Sequence, residues 1–375
     1  MSRTKYFVRN PVTNKKQKAI VHSIHRKLPL FIILILFVSL PAFAQIGGDG
    51  TFKFLGTPNS ARIAALGGNF LAIQDNDITL TQANPSLITP LMHNNLALSY
   101  VNTPGGVNYG FIMYSRTFQK AGSFVGSLQF VNYGTFQGAD ATGNLTGEFS
   151  ASEYALNIGW GRQLSPIFSI GANGKLIYSQ LETYNSFGLA VDVAGTYVSK
   201  DKSFTVSLIG RNIGFQVVPY LPGTRDPLPF ELQIGISEQL KHIPLRFSQL
   251  ITNLQKWDLT YDDPSDPSNQ PDPITGETKE KTTMGKIADG VMRHIVLGAE
   301  LTIAKVVAVR LGYNYQRRQE LKLSGKAGLA GFSAGVGLRV KMFNLSYTRG
   351  VFQAGSPNPN YITIAVNLQE FTKKQ

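Results

Sequence analysis

Between Val307 and Gln316 apolar and polar residues alternate one by one. Val307, Val309, Leu311, Tyr313 and Tyr315 share one face of an extended chain, and Ala308, Arg310, Gly312, Asn314 and Gln316 share the other. Successive side chains of a strand point to opposite faces, so this pattern describes a sheet with one apolar and one polar surface. The split recurs with Phe332, Ala334, Val336, Leu338 and Val340 against Ser333, Gly335, Gly337, Arg339 and Lys341. It recurs again with Ile362, Ile364, Val366 and Leu368 against Tyr361, Thr363, Ala365 and Asn367. From about residue 96 onward no segment holds a helical period for long, which leaves an all-β fold.

The runs predict strands near 96–102, 108–117, 121–133, 149–162, 167–180, 186–199, 203–212, 230–240, 244–257, 288–303, 305–315, 331–341, 343–349 and 360–368. An even number suits a bacterial barrel with both termini on one side, and most runs have the roughly 9–11 residues that a tilted spanning strand needs. Brief connections, around Gln119-Lys120, Leu164 to Pro166, Lys200 to Lys202, Lys241 to Ile243, Ala304 and Met342, alternate with longer ones. The longer ones fall near 134–148, 181–185, 213–229, 258–287, 316–330 and 350–359, and only Thr103 to Val107 breaks the rule. Outer-membrane barrels have short periplasmic turns and long outer loops, whereas a soluble sandwich has no reason to alternate them. The expectation is an all-β, about 14-stranded antiparallel transmembrane β-barrel over residues 96–375. Composition agrees: 16% charged residues, 37 glycines and a mean hydropathy of -0.04 are too polar for a helical membrane protein and poor in charge for a soluble one.

The one long apolar run, Leu30 to Leu40, is too short for a spanning helix of about 20 residues. Eight basic residues and no acidic one precede it, and Ala42-Phe43-Ala44 follows, so residues 1–44 read as a cleavable secretory signal. Removing them leaves 28 of the 36 basic residues against 23 acids, a charge near +5 rather than +13. The basic excess is mostly targeting sequence, and nucleic acid is not an expected partner. Cysteine is absent, so no disulfide, thiolate nucleophile or cysteine zinc site is available.

Residues 45–95 are too polar to be spare membrane sequence and too apolar to be a solvated tail. Asn59-Ser60-Ala61-Arg62-Ile63-Ala64-Ala65-Leu66 followed by Gly67-Gly68 reads as a short capped helix stopped by glycine, and Ala83-Asn84-Pro85-Ser86-Leu87 as a second turn with a helix start. Such a segment ahead of a barrel is best placed inside the lumen as a plug.

Charges fall consistently in the inward register: Glu153, Lys175, Asp192, Arg211, Glu231, Glu300, Arg310 and Arg339. Facing lipid, each would cost up to about 2–4 kcal/mol near the midplane. Their near balance of sign suggests ion pairing across the lumen or to the plug through Arg62, Asp75 or Asp77. That describes a filled interior, whereas a porin would be open and a fatty-acid carrier would need an apolar pocket.

No constellation supports catalysis. Ser199-x-x-Lys202 matches a serine-lysine spacing but lies in a polar turn, and Ser324-Gly325-Lys326 lacks the rest of a phosphate loop. Outside the signal, His93, His242 and His294 are far apart, so no metal or triad site is expected. The acidic, proline-interrupted loop 258–287 lacks the spacing of a dedicated calcium loop. No cofactor is implied. Loop 213–229 offers Phe215, Val217, Val218, Tyr220 and Leu221 as an apolar set for a secreted partner, with Trp257 and Tyr261 as further outer candidates. Trp160 and Trp257 are placed at the inner and outer strand ends, where indole favours the membrane interface.

The stretch Asn59 to Ile73, NSARIAALGGNFLAI, and the stretch Asp75 to Ile88, DNDITLTQANPSLI, resemble the start of the PorQ proteins of the Bacteroidetes type IX secretion system. Related PorV and fatty-acid-transporter barrels share the Asn84-Pro85 element. The resemblance implies a fourteen-stranded plugged barrel in the bacterial outer membrane, working without chemistry of its own. It would hold a PorZ-like peripheral surface protein beside PorU and PorV in an attachment complex, surrounded by outer-membrane lipid. The rival reading is an outer-membrane transporter for hydrophobic compounds. A departure from the usual barrel ending is that Phe371 is followed by Thr372-Lys373-Lys374-Gln375.

Overall fold

The computed structural model describes residues 50–58, 60–68, 70–260, 282–321, 328–350 and 358–372. The signal at 1–44, Tyr261, the Ser324-Gly325-Lys326 turn and most of loop 258–287 lie outside the described residues.

Fourteen antiparallel strands close into a barrel, each beside its sequence neighbours and the first beside the last. They are β1 (Asn95–Asn102), β2 (Asn108–Phe118), β3 (Gly122–Ala139), β4 (Leu145–Ser165), β5 (Phe168–Leu181), β6 (Tyr184–Val198), β7 (Phe204–Val218), β8 (Glu231–Gln239), β9 (Leu245–Ile251), β10 (Ile295–Ile303), β11 (Val307–Asn314), β12 (Phe332–Val340), β13 (Phe343–Arg349) and β14 (Asn360–Asn367). Closure pairs Asn95 with Asn367 and Asn102 with Asn360, which removes every open sheet edge, as a spanning sheet requires. The alternation behaves as its period demands: Val309 and Leu311 lie on the exposed outer wall, with Ala308 and Arg310 buried inside.

Several expected boundaries move. β7 runs on to Val218, so Phe215 and Val217 belong to a strand rather than a loop. The cause is a bulge: the β6–β7 register shifts between Val191 and Val193, and Arg211 and Asn212 are both buried, so the inward parity changes at that point. A strict period-two reading stops there. The stretch 134–148 is mostly strand, because β3 and β4 continue as a hairpin of 18 and 21 residues, long enough to project beyond the membrane. β9 ends at Ile251 rather than near 257, and residues 288–293, expected in a strand, close a helix over Thr283–Arg293. That helix is started by Thr282, whose hydroxyl accepts from the Gly285 amide, and braced by an Arg293–Asp289 pair four residues apart.

The described residues between 50 and 94 lie in the lumen. Ser60 caps a helix over Ala61–Ala65, and Gly67, at a φ of 91°, ends it. Wall hydroxyls take up the helix's spare backbone groups: Thr363 Oγ1 accepts from the Ala61 amide, while Thr348 and Ser333 donate to the Ala61 and Ala65 carbonyls. The second turn, Pro85–Leu87, packs on β4, β5 and β6 across the barrel. The wall is shaped for it. Inward-facing Gly171 and Gly312 sit so close to the backbones of Pro85 and Leu66 that a Cβ at either would overlap them.

The plug has a direction. The Thr51 amide donates to Pro227 O in the β7–β8 loop, while at the far end the Asn94 amide donates to Ser115 O, and Asn94 O accepts from Leu368. The segment therefore descends from the long-loop end to the short-turn end before β1 begins.

Candidate functional site

The lumen holds a charged cluster and three buried apolar clusters. In the half nearer the short turns, Arg62 of the plug helix donates to Glu300 of β10 at 3.0 and 2.7 Å, to Asp75 at 3.0 and 2.5 Å and to Asp77 at 3.0 Å. Arg310 donates to Glu300 at 2.6 Å, and Arg246 reaches Asp75 at 3.2 Å and Glu300 at 3.5 Å. Three guanidinium groups thus face three carboxylates, so the cluster is neutral as a whole while fastening the plug to the wall. Arg246 joins this cluster although its inward row, with Ser248 and Leu250, is not marked by charge alone. The apolar Leu250 in that row masks the signal.

Other expected lumen charges take separate places. Lys175 pairs with Asp192 at 2.8 Å and donates to Asn212 Oδ1 at 2.7 Å; Asp192 also accepts from Asn173 and from the Asn212 amide in the bulge. Arg211 donates Nη2 to Leu55 O at 3.3 Å, and its Nε and Nη1 have no partner among the described residues. Glu153 accepts from the Tyr133 hydroxyl, and Glu231 is the cross-strand neighbour of Arg211. Arg339 is exposed and lines a cavity of about 270 Å³ at the short-turn end, together with Asp75 and Asp77.

Toward the long-loop end an apolar cluster lies beside Arg211 and Glu153. Phe52, Phe54 and Leu55 of the plug meet Val101, Tyr109, Val131, Ile177, Ala190, Leu228 and Tyr361, with the Tyr109 and Tyr361 hydroxyls bonded to each other at 2.9 Å. This cluster has no counterpart in the expectation of a charge-filled interior. Its residues come from many strands and from a loop, so no local stretch announces it.

On the lipid side of the same wall lies a cavity of about 420 Å³ lined by Leu156, Ile158, Leu176, Leu189, Val191, Ile213 and Phe215 over a floor that includes Gly174 and Gly214. It sits where the bulge interrupts the β6–β7 ladder. Ala190 lines this cavity and also belongs to the inner apolar cluster. A missing side chain at Gly174 leaves open space, since a Cβ there would meet nothing within 4 Å.

The expected outer contact residues divide. Phe215 faces lipid in this cavity, Val217 is half-buried in β7, and Tyr220 turns inward to Ser179 and the Phe52 ring. Leu221 remains exposed in the β7–β8 loop. Trp257 is 70% exposed and stacked on His294, whose ring nitrogens are engaged by the Thr252 and Trp257 carbonyls. At the tip of the β3–β4 hairpin, hydrogen bonds from Thr142 and Asn144 pull the Asp140 carboxyl down to about 2. At the opposite end, bonds from Ser199 and Ser203 and the Lys241 ammonium hold Asp201 well below the usual carboxylate range.

Among the described residues no group of acidic, histidine or cysteine side chains is arranged to hold a metal, and no helix is long and apolar enough to cross a membrane. Neither a known family profile nor a curated protein matches the sequence. Solved structures do match in shape. The toluene transporter TbuX of Ralstonia pickettii aligns over 83% of this chain and 98% of its own, with a TM-score of 0.50 and 11% identity. The toluene transporter TodX of Pseudomonas putida aligns over 82% and 96%, with a TM-score of 0.46 and 12% identity. At such identity the TbuX likeness speaks for the fold alone: this chain is a closed fourteen-stranded antiparallel β-barrel of the outer-membrane type.

Proposed function

We propose that this barrel passes small hydrophobic compounds across the outer membrane. The observation that carries the reading is the lipid-side cavity at the broken β6–β7 ladder, which shares Ala190 with the apolar cluster inside. An apolar solute gains about 25 cal/mol for each Å² it removes from water, so it collects in such a cavity, whose one charged lining residue, Lys175, is already paired with Asp192. Phe52, Phe54 and Ile177 belong to the buried apolar cluster on the lumen side of the same wall, which the cavity meets at Ala190. TbuX, similar in fold, is described as a toluene transporter, which supports the same solute class.

The test is uptake of a labelled monoaromatic hydrocarbon by proteoliposomes. Gly174→Leu fills the cavity, and loss of about 1.4 kcal/mol of solute binding lowers uptake about tenfold. Unchanged uptake in a correctly folded variant would reject the route.

A second reading keeps the barrel as an anchor for a PorZ-like surface protein in the type IX attachment complex with PorU and PorV. The projecting β3–β4 hairpin favours it: Phe136 and Phe149 stack at 5.3 Å, and Phe136 is exposed. Aromatic pairs of this kind make good interface anchors. Gene deletion separates the two readings, since an anchor's loss releases surface proteins into the medium and a transporter's loss only slows hydrocarbon uptake.

A further inference from the structure

The helix Thr283–Arg293 joins the outer end of β10 and has two opposed faces. Met284, Ile287, Ala288 and Val291 recur at the spacing that lines up one side of a helix, and Asp289 and Arg293 occupy the other. The polar side is tied down: Arg293 pairs with Asp289 at 3.0 Å and donates to Gln316 Oε1 at 3.2 Å, and the Tyr315 hydroxyl donates to Asp289 at 2.7 Å. Tyr315 and Gln316 open the neighbouring outer helix, Tyr315–Leu321, so the polar side faces that element. The apolar side turns away from it, with Met284 76% and Ile287 55% exposed.

We infer that this helix is seated in the outer-leaflet interface of the membrane, with Met284, Ile287 and Val291 among lipid acyl chains. Continuity with the lipid-facing wall argues for lipid as the occupant. Below the helix, Leu297 of β10, Phe247 of β9 and Leu311 of β11 are exposed on the outer wall, and Trp257 sits beside the helix's last turn on His294. An indole at the rim and an amphipathic helix whose polar face is already engaged fit the boundary between headgroups and chains. The helix would brace the outer mouth against the bilayer whichever function the lumen serves.

The test uses the full mature chain in proteoliposomes with Trp160→Phe, Trp257→Phe and Ile287→Trp, so that one indole reports on the helix face. Lipids brominated near the carbonyl end of their chains are expected to quench emission at least about twofold, with little quenching by aqueous iodide. Strong iodide quenching without an effect of bromolipid overturns the inference and leaves the face open to a protein partner. Heat-shifted gel mobility confirms a folded barrel. Should that triple variant not fold, a spin label at Val291→Cys decides the question: greater accessibility to oxygen than to a water-soluble nickel complex supports seating, and the reverse rejects it.

Discussion

Arg62 of the plug grips Glu300 of β10, 238 residues away in sequence, through two hydrogen bonds of 3.0 and 2.7 Å. The same guanidinium holds Asp75 and Asp77. Replacing it with alanine leaves three carboxylates facing Arg246 and Arg310 alone, and breaking a buried pair from one side costs about 3–5 kcal/mol. Arg62→Ala should therefore loosen the plug, seen as faster amide exchange over residues 60–77 and higher conductance in planar bilayers. Arg62→Lys should recover little, because an ammonium cannot make the forked contacts.

The Asn84 side chain joins the plug's second turn to the wall. Its Oδ1 accepts from the Ser86 amide and hydroxyl, and its Nδ2 donates to Leu71 O and Thr196 Oγ1. Asn84→Ala should cost about 1–3 kcal/mol by stranding buried partners. Asn84→Asp keeps the acceptor but loses the donor and buries a charge, so it should be the worse of the two. Urea unfolding in liposomes ranks them, and an aspartate variant as stable as wild type would contradict this account.

Wall glycines set how close the plug can come. A valine at Gly171 or Gly312 places side-chain atoms where the Pro85 or Leu66 backbone lies, and overpacking of this sort costs about 1–3 kcal/mol. Both variants should yield barrels with a more protease-sensitive plug, whereas valine at Gly126, where a Cβ meets nothing within 4 Å, should behave as wild type. Limited proteolysis followed by mass spectrometry checks the contrast.

Acid should fray the β3–β4 hairpin tip before the barrel. Thr142 and Asn144 hold Asp140 at about 2, below its ordinary value of 3.8. A carboxyl depressed in the folded state contributes stability above its unfolded value and loses it as pH falls through the folded one. The tip should be ordered at pH 5 and lose order between about 4 and 2, followed by carbon NMR of the carboxyl. Asp140→Asn should remove the transition.

Alternation in β11, β12 and β14 is legible because a lipid-facing wall tolerates almost no inward–outward error. The same rule explains what was hidden. At the bulge, two adjacent residues, Arg211 and Asn212, turn inward together, so a period-two reading ends β7 too early and assigns Phe215 to a loop. Arg246 escapes a period-two reading for a related reason, since its inward row also contains apolar Leu250.

By itself the sequence determined the all-β wall, the even strand number, the inward side of Glu300, Arg310 and Lys175, and a glycine-stopped plug helix, because each rests on local periodicity or local backbone chemistry. Only the tertiary structure decided that Arg62 meets Glu300 while Lys175 meets Asp192, that apolar clusters fill the lumen beside the charged one, and that a cavity opens beside the bulge. A period of two states which face a side chain takes. It carries nothing about height or position around the barrel, and those follow from the register closed between β1 and β14 and from the path of the plug.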